Sequence, residues 1–109
     1  MREVKIGDKD YKVVASPITL FFYKKEFKKD LIGDLMGFQS LAEDTTTFDS
    51  IAILQMAWAM IKTAKAGQMV GFEQWLNNLE YVNFEDSEMM TNVIEEATEG
   101  FFRNREQTQ

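Results

Sequence analysis

The sequence predicts a mainly α fold with a small N-terminal β-hairpin (α+β): four to five helices around an apolar central helix. Three observations predict it. Strand-forming residues cluster only in the first fourteen positions, apolar residues then recur at helical spacing for the rest of the chain, and one segment, SIAILQMAWAMIKTAKA, is apolar on nearly every side.

Val4-Lys5-Ile6 and Tyr11-Lys12-Val13-Val14 are the two short strands, and Gly7-Asp8-Lys9-Asp10 between them is turn chemistry. Asp8 and Asp10 sit at the spacing that opens a calcium loop. No further spaced carboxylates or glycine follow, so the turn is the better account.

Ser16-Pro17 opens the first helix, with a capping residue followed by a proline at the position where its missing N–H costs nothing. The periodicity carries this helix to about Gly33, with Leu20, Tyr23, Phe27 and Leu31 on one side and Lys24, Lys25, Lys28 and Lys29 on the other. Gly33 and Gly37 are expected to interrupt the next stretch, and Glu43 to Thr47 to form a polar loop before a cap at Asp49 or Ser50.

The central helix then runs to Ala66 and closes at Gly67, with Gln55, Lys62 and Lys65 as its narrow polar stripe. Its alanines, Ala52, Ala57, Ala59 and Ala64, let neighbouring backbones come close. Met56 and Met60 fit either a core or an adaptable binding surface. GFEQWLNNL is a short amphipathic helix presenting Phe72, Trp75, Leu76 and Leu79. The last helix starts near Asp86 or Ser87, with Met90, Val93, Ile94, Ala97 and Phe101 in one stripe and Glu88, Glu95 and Glu99 opposite. Residues 1–102 are thus expected to form one domain and 103–109 a polar, disordered tail.

Composition narrows the function. With 45% hydrophobic and 13% aromatic residues the 109-residue chain has the material for a core, and it has neither cysteine nor histidine. Disulfides, thiolate nucleophiles, imidazole bases and the usual zinc ligands are therefore absent. Carboxylate pairs are the catalytic material left, and the obvious one, Glu95-Glu96 with Glu99, falls on the expected outer face of the last helix, where exposed acids have little catalytic leverage. No spacing points to a serine–lysine dyad. The expectation is a protein that is not an enzyme and needs no metal or cofactor. No signal-peptide pattern or membrane-spanning apolar run appears, so the expectation is a protein that stays in the cytoplasm where it is made.

Residues 1–79 carry ten acidic and ten basic side chains, so the net charge of −6 sits in residues 80–109, which hold eight acids against two arginines. Such a surface repels phosphate backbones and disfavours nucleic-acid binding.

One group of residues is left over. Ile18, Phe21 and Phe22 project to the lysine side of the first helix, and either the hairpin covers them or they face a partner. Covering is favoured, because a two-stranded hairpin must pack on something. A basic amphipathic helix on an anionic membrane is the weaker reading of the same lysines. The central helix carries more apolar surface than about a hundred residues enclose easily, which suggests self-association through residues such as Ile51 and Trp58.

The order of these pieces, VKIGDKDYKVV, SPITLFFYKKEFKKDLIGDL, FDSIAILQMAWAMIKTAK and GFEQWLNNLE before an acidic last helix, resembles the tail assembly chaperones of long-tailed bacteriophages and prophages. The resemblance spans roughly residues 2–102 and is one of order and phrasing, with no invariant motif. It implies a small helical protein, made in the host cytoplasm, that binds the tape measure protein and keeps it soluble while the tail tube protein polymerises around it. It further implies the short form of a protein that often has a frameshifted longer one. The family transfers no catalytic or contact residues. The pattern itself nominates Ile18, Phe21, Phe22, Lys25 and Lys29 as the docking face, in a homo-oligomer that binds neither nucleic acid nor membrane. The runner-up is an acidic inhibitor that mimics DNA, for which six net charges are few.

Overall fold

The computed structural model describes residues 2–40, 50–85 and 87–102. Chain order is β1 (Arg2–Ile6), β2 (Lys9–Val13), α1 (Pro17–Phe27), α2 (Leu31–Ser40), α3 (Ser50–Ala64), α4 (Phe72–Asn78) and α5 (Ser87–Phe102). The mainly α fold with an N-terminal hairpin is the one the sequence predicts. The 43–47 loop, the caps at Asp49 and Asp86, and the 103–109 tail lie outside the described residues.

β1 and β2 pair antiparallel in the register Arg2↔Val13 to Ile6↔Lys9, which leaves Gly7 and Asp8 as a two-residue turn. Gly7 has φ +68°, the left-handed conformation such a turn requires, and an added Cβ would come 2.5 Å from the Tyr81 carbonyl oxygen. Alternation puts Val4, Ile6 and Val13 in the core while Glu3, Lys5, Lys9, Asp10 and Lys12 face out. This apolar face lies on α3 through β2 and on α5 through β1. The Val14 N–H also donates to the Met60 carbonyl, at 3.2 Å, and so ties the end of the hairpin to the central helix.

α3 is the central helix. From Ala52 to Ile61 every residue but Gln55 is buried, by the hairpin, α1 and α5 of the same chain. Met56 and Met60 are therefore core residues. The helix ends with Ala66 and Gly67 at positive φ and the Gly67 N–H on the Lys62 carbonyl, at 2.8 Å, the closure that Gly67 promises.

The first helix departs from the sequence expectation. It stops at Phe27, because Lys28 adopts φ +62° and returns its N–H to the Lys24 carbonyl at 2.8 Å. Asp30 then accepts the Ile32 N–H at 3.0 Å and starts a separate α2. A short polar side chain able to cap a helix outweighed an uninterrupted apolar period, and the break lets Leu31 and Leu35 reach the core. Gly33 and Gly37 do not interrupt this second helix, since both lie within α2 with no described side chain near their Cβ positions.

Aromatic rings stitch the layers together. Phe27 of α1 meets Trp58 of α3 at 5.4 Å and Phe72 of α4 at 5.0 Å, and Trp75 of α4 meets Tyr11 of β2 at 5.9 Å, all near edge-to-face. Seven-residue α4 is too short to stand on its own. The Glu26 carboxylate of α1 holds its start by accepting the Phe72 N–H at 3.1 Å.

Candidate functional site

The outer side of α1 follows from how the helix is seated. Ser16 sits in extended backbone at the helix start, and its N–H donates to Thr19 Oγ1 at 3.1 Å, which aims the first turn. Thr19 and Tyr23 turn inward and are fully buried, with Leu20 and Phe27 packed beside them. Ile18 and Phe21 consequently point away from the core, 46% and 56% exposed.

The favoured expectation that the hairpin covers Ile18, Phe21 and Phe22 fails for the first two. The apolar face of the hairpin packs mainly on α3 and α5 and leaves Ile18 and Phe21 in solvent. Phe22 is half-buried by another route: its ring lies beside Gly67 and under Lys62, whose Nζ is 4.8 Å from the ring centroid, and it tilts against Phe21 at 6.2 Å. Lys25 is exposed and stands 5.9 Å over the Phe21 ring. Phe21, Phe22 and Lys25 therefore form one patch, with exposed Ile18 one helical turn before Phe21.

Lys29 belongs elsewhere. Its Nζ pairs with Asp34 at 3.2 Å, and Asp34 accepts the buried Tyr23 hydroxyl at 2.5 Å, with Gln55 of α3 at 3.5 Å from the same hydroxyl. This network gives the polar residue of the central helix a partner and fixes α2 on α1. Lys29 thus spends its charge on Asp34 within the chain, while Lys25 does not.

Ile51 and Trp58 also separate. Ile51 is exposed in the first turn of α3. Trp58 is buried, and its Nε1 donates to the Val70 carbonyl at 3.0 Å, so it cannot meet another copy. The chain encloses Ala52 to Ile61 by itself, so the apolar run of α3 does not require a second copy, while Ile51 stays exposed.

The acidic last helix holds the largest feature that sequence reasoning missed. Arg2 of β1 donates Nη1 to Glu95 at 2.8 Å, Nη2 to Glu99 at 2.9 Å and Nε to Glu96 at 3.3 Å. Glu96 is not on the outer face as expected. It is buried, because its other oxygen accepts the Ala15 N–H at 3.3 Å, where α5 passes so close that Gly100 leaves no room for a Cβ against the Ala15 backbone. The Glu95 hydrogen bond raises the Arg2 pKa further above its ordinary value against the lowering by partial burial, with Glu99 and Glu96 adding to the rise. No sequence signal pairs residue 2 with residues 95–99, since the pairing depends on β1 lying along α5.

A small cleft of about 210 Å³ lies between Lys5, Gly7, Tyr81, Asn83 and Met89. It falls below the roughly 300 Å³ at which small-molecule sites begin. No helix of the described residues is long and apolar enough to cross a membrane. In comparisons with protein-family models, curated proteins and solved structures, nothing matches the chain.

Proposed function

We propose that this protein is a non-enzymatic tail assembly chaperone of a long-tailed phage or prophage, working in the host cytoplasm. It binds the tape measure protein and keeps it soluble while the tail tube protein polymerises around it. The observation that carries this reading is the pair of exposed apolar side chains Ile18 and Phe21 on a helix whose other side packs on the core through Thr19, Leu20, Tyr23 and Phe27. Large apolar groups side by side at such a place contribute little to the core and cost solubility, so they speak for a protein partner. The order of hairpin, aromatic-and-lysine helix, apolar helix and acidic helix is the order that carries the resemblance.

A tape measure protein is long and helical with apolar stretches, so a small holder works in several copies along it. The DNA-mimic alternative loses weight because Arg2 neutralises part of the carboxylate surface it relies on. Co-expression tests the proposal. The tape measure protein of the same phage should be soluble and co-purify with this chain, and should aggregate without it. Aggregation regardless of the chain, or selective retention of a DNA-binding protein instead, would refute it.

A further inference from the structure

We infer that the α1 patch selects an amphipathic helical segment whose apolar stripe is bordered by acidic side chains. The inference rests on the proposed function and specifies the chemistry of its partner.

The chain carries a net charge of −6, yet the surround of this patch is cationic. Lys24, Lys25 and Lys28 are exposed, and among the described residues no carboxylate comes within 4 Å of any of their amino groups. The acids of the same stretch are directed elsewhere. Glu26 accepts the Phe72 N–H at the start of α4, Asp30 accepts the Ile32 N–H at the start of α2, and Asp34 holds Lys29 and Tyr23. Lys62, over the faces of Phe22 and Trp58 at 4.8 and 5.1 Å, likewise has a ring and no described carboxylate as its partner.

The result is an apolar ridge, Ile18 and Phe21 with Phe22 as its shoulder, bordered by cations that have no carboxylate partner among the described residues. Two exposed side chains bury little area, so apolar contact alone gives weak and unselective binding. Flanking charge adds selectivity and speed of encounter, and its sign here favours acids and rejects bases. A second copy of the chain is a poorer complement, because Glu95 and Glu99 on its acidic helix already hold Arg2. An anionic membrane is poorer too, since an eleven-residue helix with two exposed apolar groups on this side has little to insert.

The test uses the full chain and two synthetic amphipathic peptides of about 20 residues, long enough to hold a helix. Both carry the same leucine stripe, one bordered by glutamates and the other by lysines. Fluorescence anisotropy should show the acidic peptide binding at least about tenfold more tightly than the basic one, with affinity falling as salt is raised. Lys25→Glu should weaken the acidic peptide about three- to tenfold, as expected for reversing one exposed charge. Phe21→Asp should abolish its binding, and both variants should keep the parental circular dichroism.

Equal binding of the two peptides, binding untouched by Lys25→Glu, or no binding at all would overturn the inference. So would phosphatidylglycerol vesicles that bind and compete with the acidic peptide, or the second-copy outcome, Phe21-dependent dimerisation that excludes it. If both peptides bind alike while the tape measure protein still depends on Phe21 for solubility, the charge selection fails and the proposed function stands. If the acidic peptide binds as expected while the tape measure protein gains nothing from the chain, the function fails and the chemistry of the face stands.

Discussion

Replacing Arg2 by alanine should destabilise the fold by about 2–3 kcal/mol, and most of that loss should come through one of its three carboxylates. Glu95 and Glu99 are 56% and 63% exposed, so water takes over their solvation and each contributes at most about 0.5–1 kcal/mol. Glu96 is only 6% exposed along its side chain and cannot be rehydrated without moving α5 from Ala15. Breaking a fully buried pair costs roughly 3–5 kcal/mol, reduced here because the Arg2 side chain is itself 23% exposed. Urea unfolding followed by circular dichroism measures this directly, through a shift in midpoint at constant slope. The carboxylates order the result: Glu96→Ala should cost about 2–3 kcal/mol, since it also orphans the buried Ala15 N–H, while Glu95→Gln and Glu99→Gln should cost under about 1 kcal/mol each. An Arg2→Ala change below about 0.5 kcal/mol, or equal losses at all three glutamates, would refute the reasoning.

Three further changes probe the rest of the account. Trp58→Asp should leave the protein unfolded, because it removes a buried ring at the centre of the aromatic cluster and buries an unpaired carboxylate; a cooperative urea transition in this variant would contradict that. Tyr23→Phe should cost about 1–2 kcal/mol in the same assay by removing the hydroxyl that bonds Asp34. Gly33→Ala should stabilise by up to about 1 kcal/mol, since no described residue comes near the new methyl in α2, whereas Gly100→Ala should destabilise by about 1–3 kcal/mol despite being in a helix; thermal melts that move both the same way would show the close α5–Ala15 approach to be wrong.

The legible parts of this fold are those set by local chemistry. Alternation marks β1 and β2, the near-continuous apolar run marks α3, and Gly67 marks its end, all within a few residues of one another in the chain. The break at Lys28 was written in the sequence as Asp30, but the apolar period across it was the louder signal. The site was half legible for a different reason. Helical spacing alone puts Ile18 and Phe21 on the lysine side, yet whether anything covers them depends on where the hairpin packs. That is a long-range choice, as are the burial of Glu96 under Arg2 and the withdrawal of Lys29 to Asp34.

The central claim is that the outer face of α1 holds the tape measure protein, and Phe21→Asp tests it most directly. The measurement is the soluble fraction of tape measure protein co-expressed with parent or variant. Phe21 is 56% exposed, so the variant should unfold within about 1 kcal/mol of the parent in urea. The account predicts that it nevertheless leaves the tape measure protein as insoluble as with no chaperone at all. A variant that folds normally and keeps the tape measure protein fully in solution would contradict it.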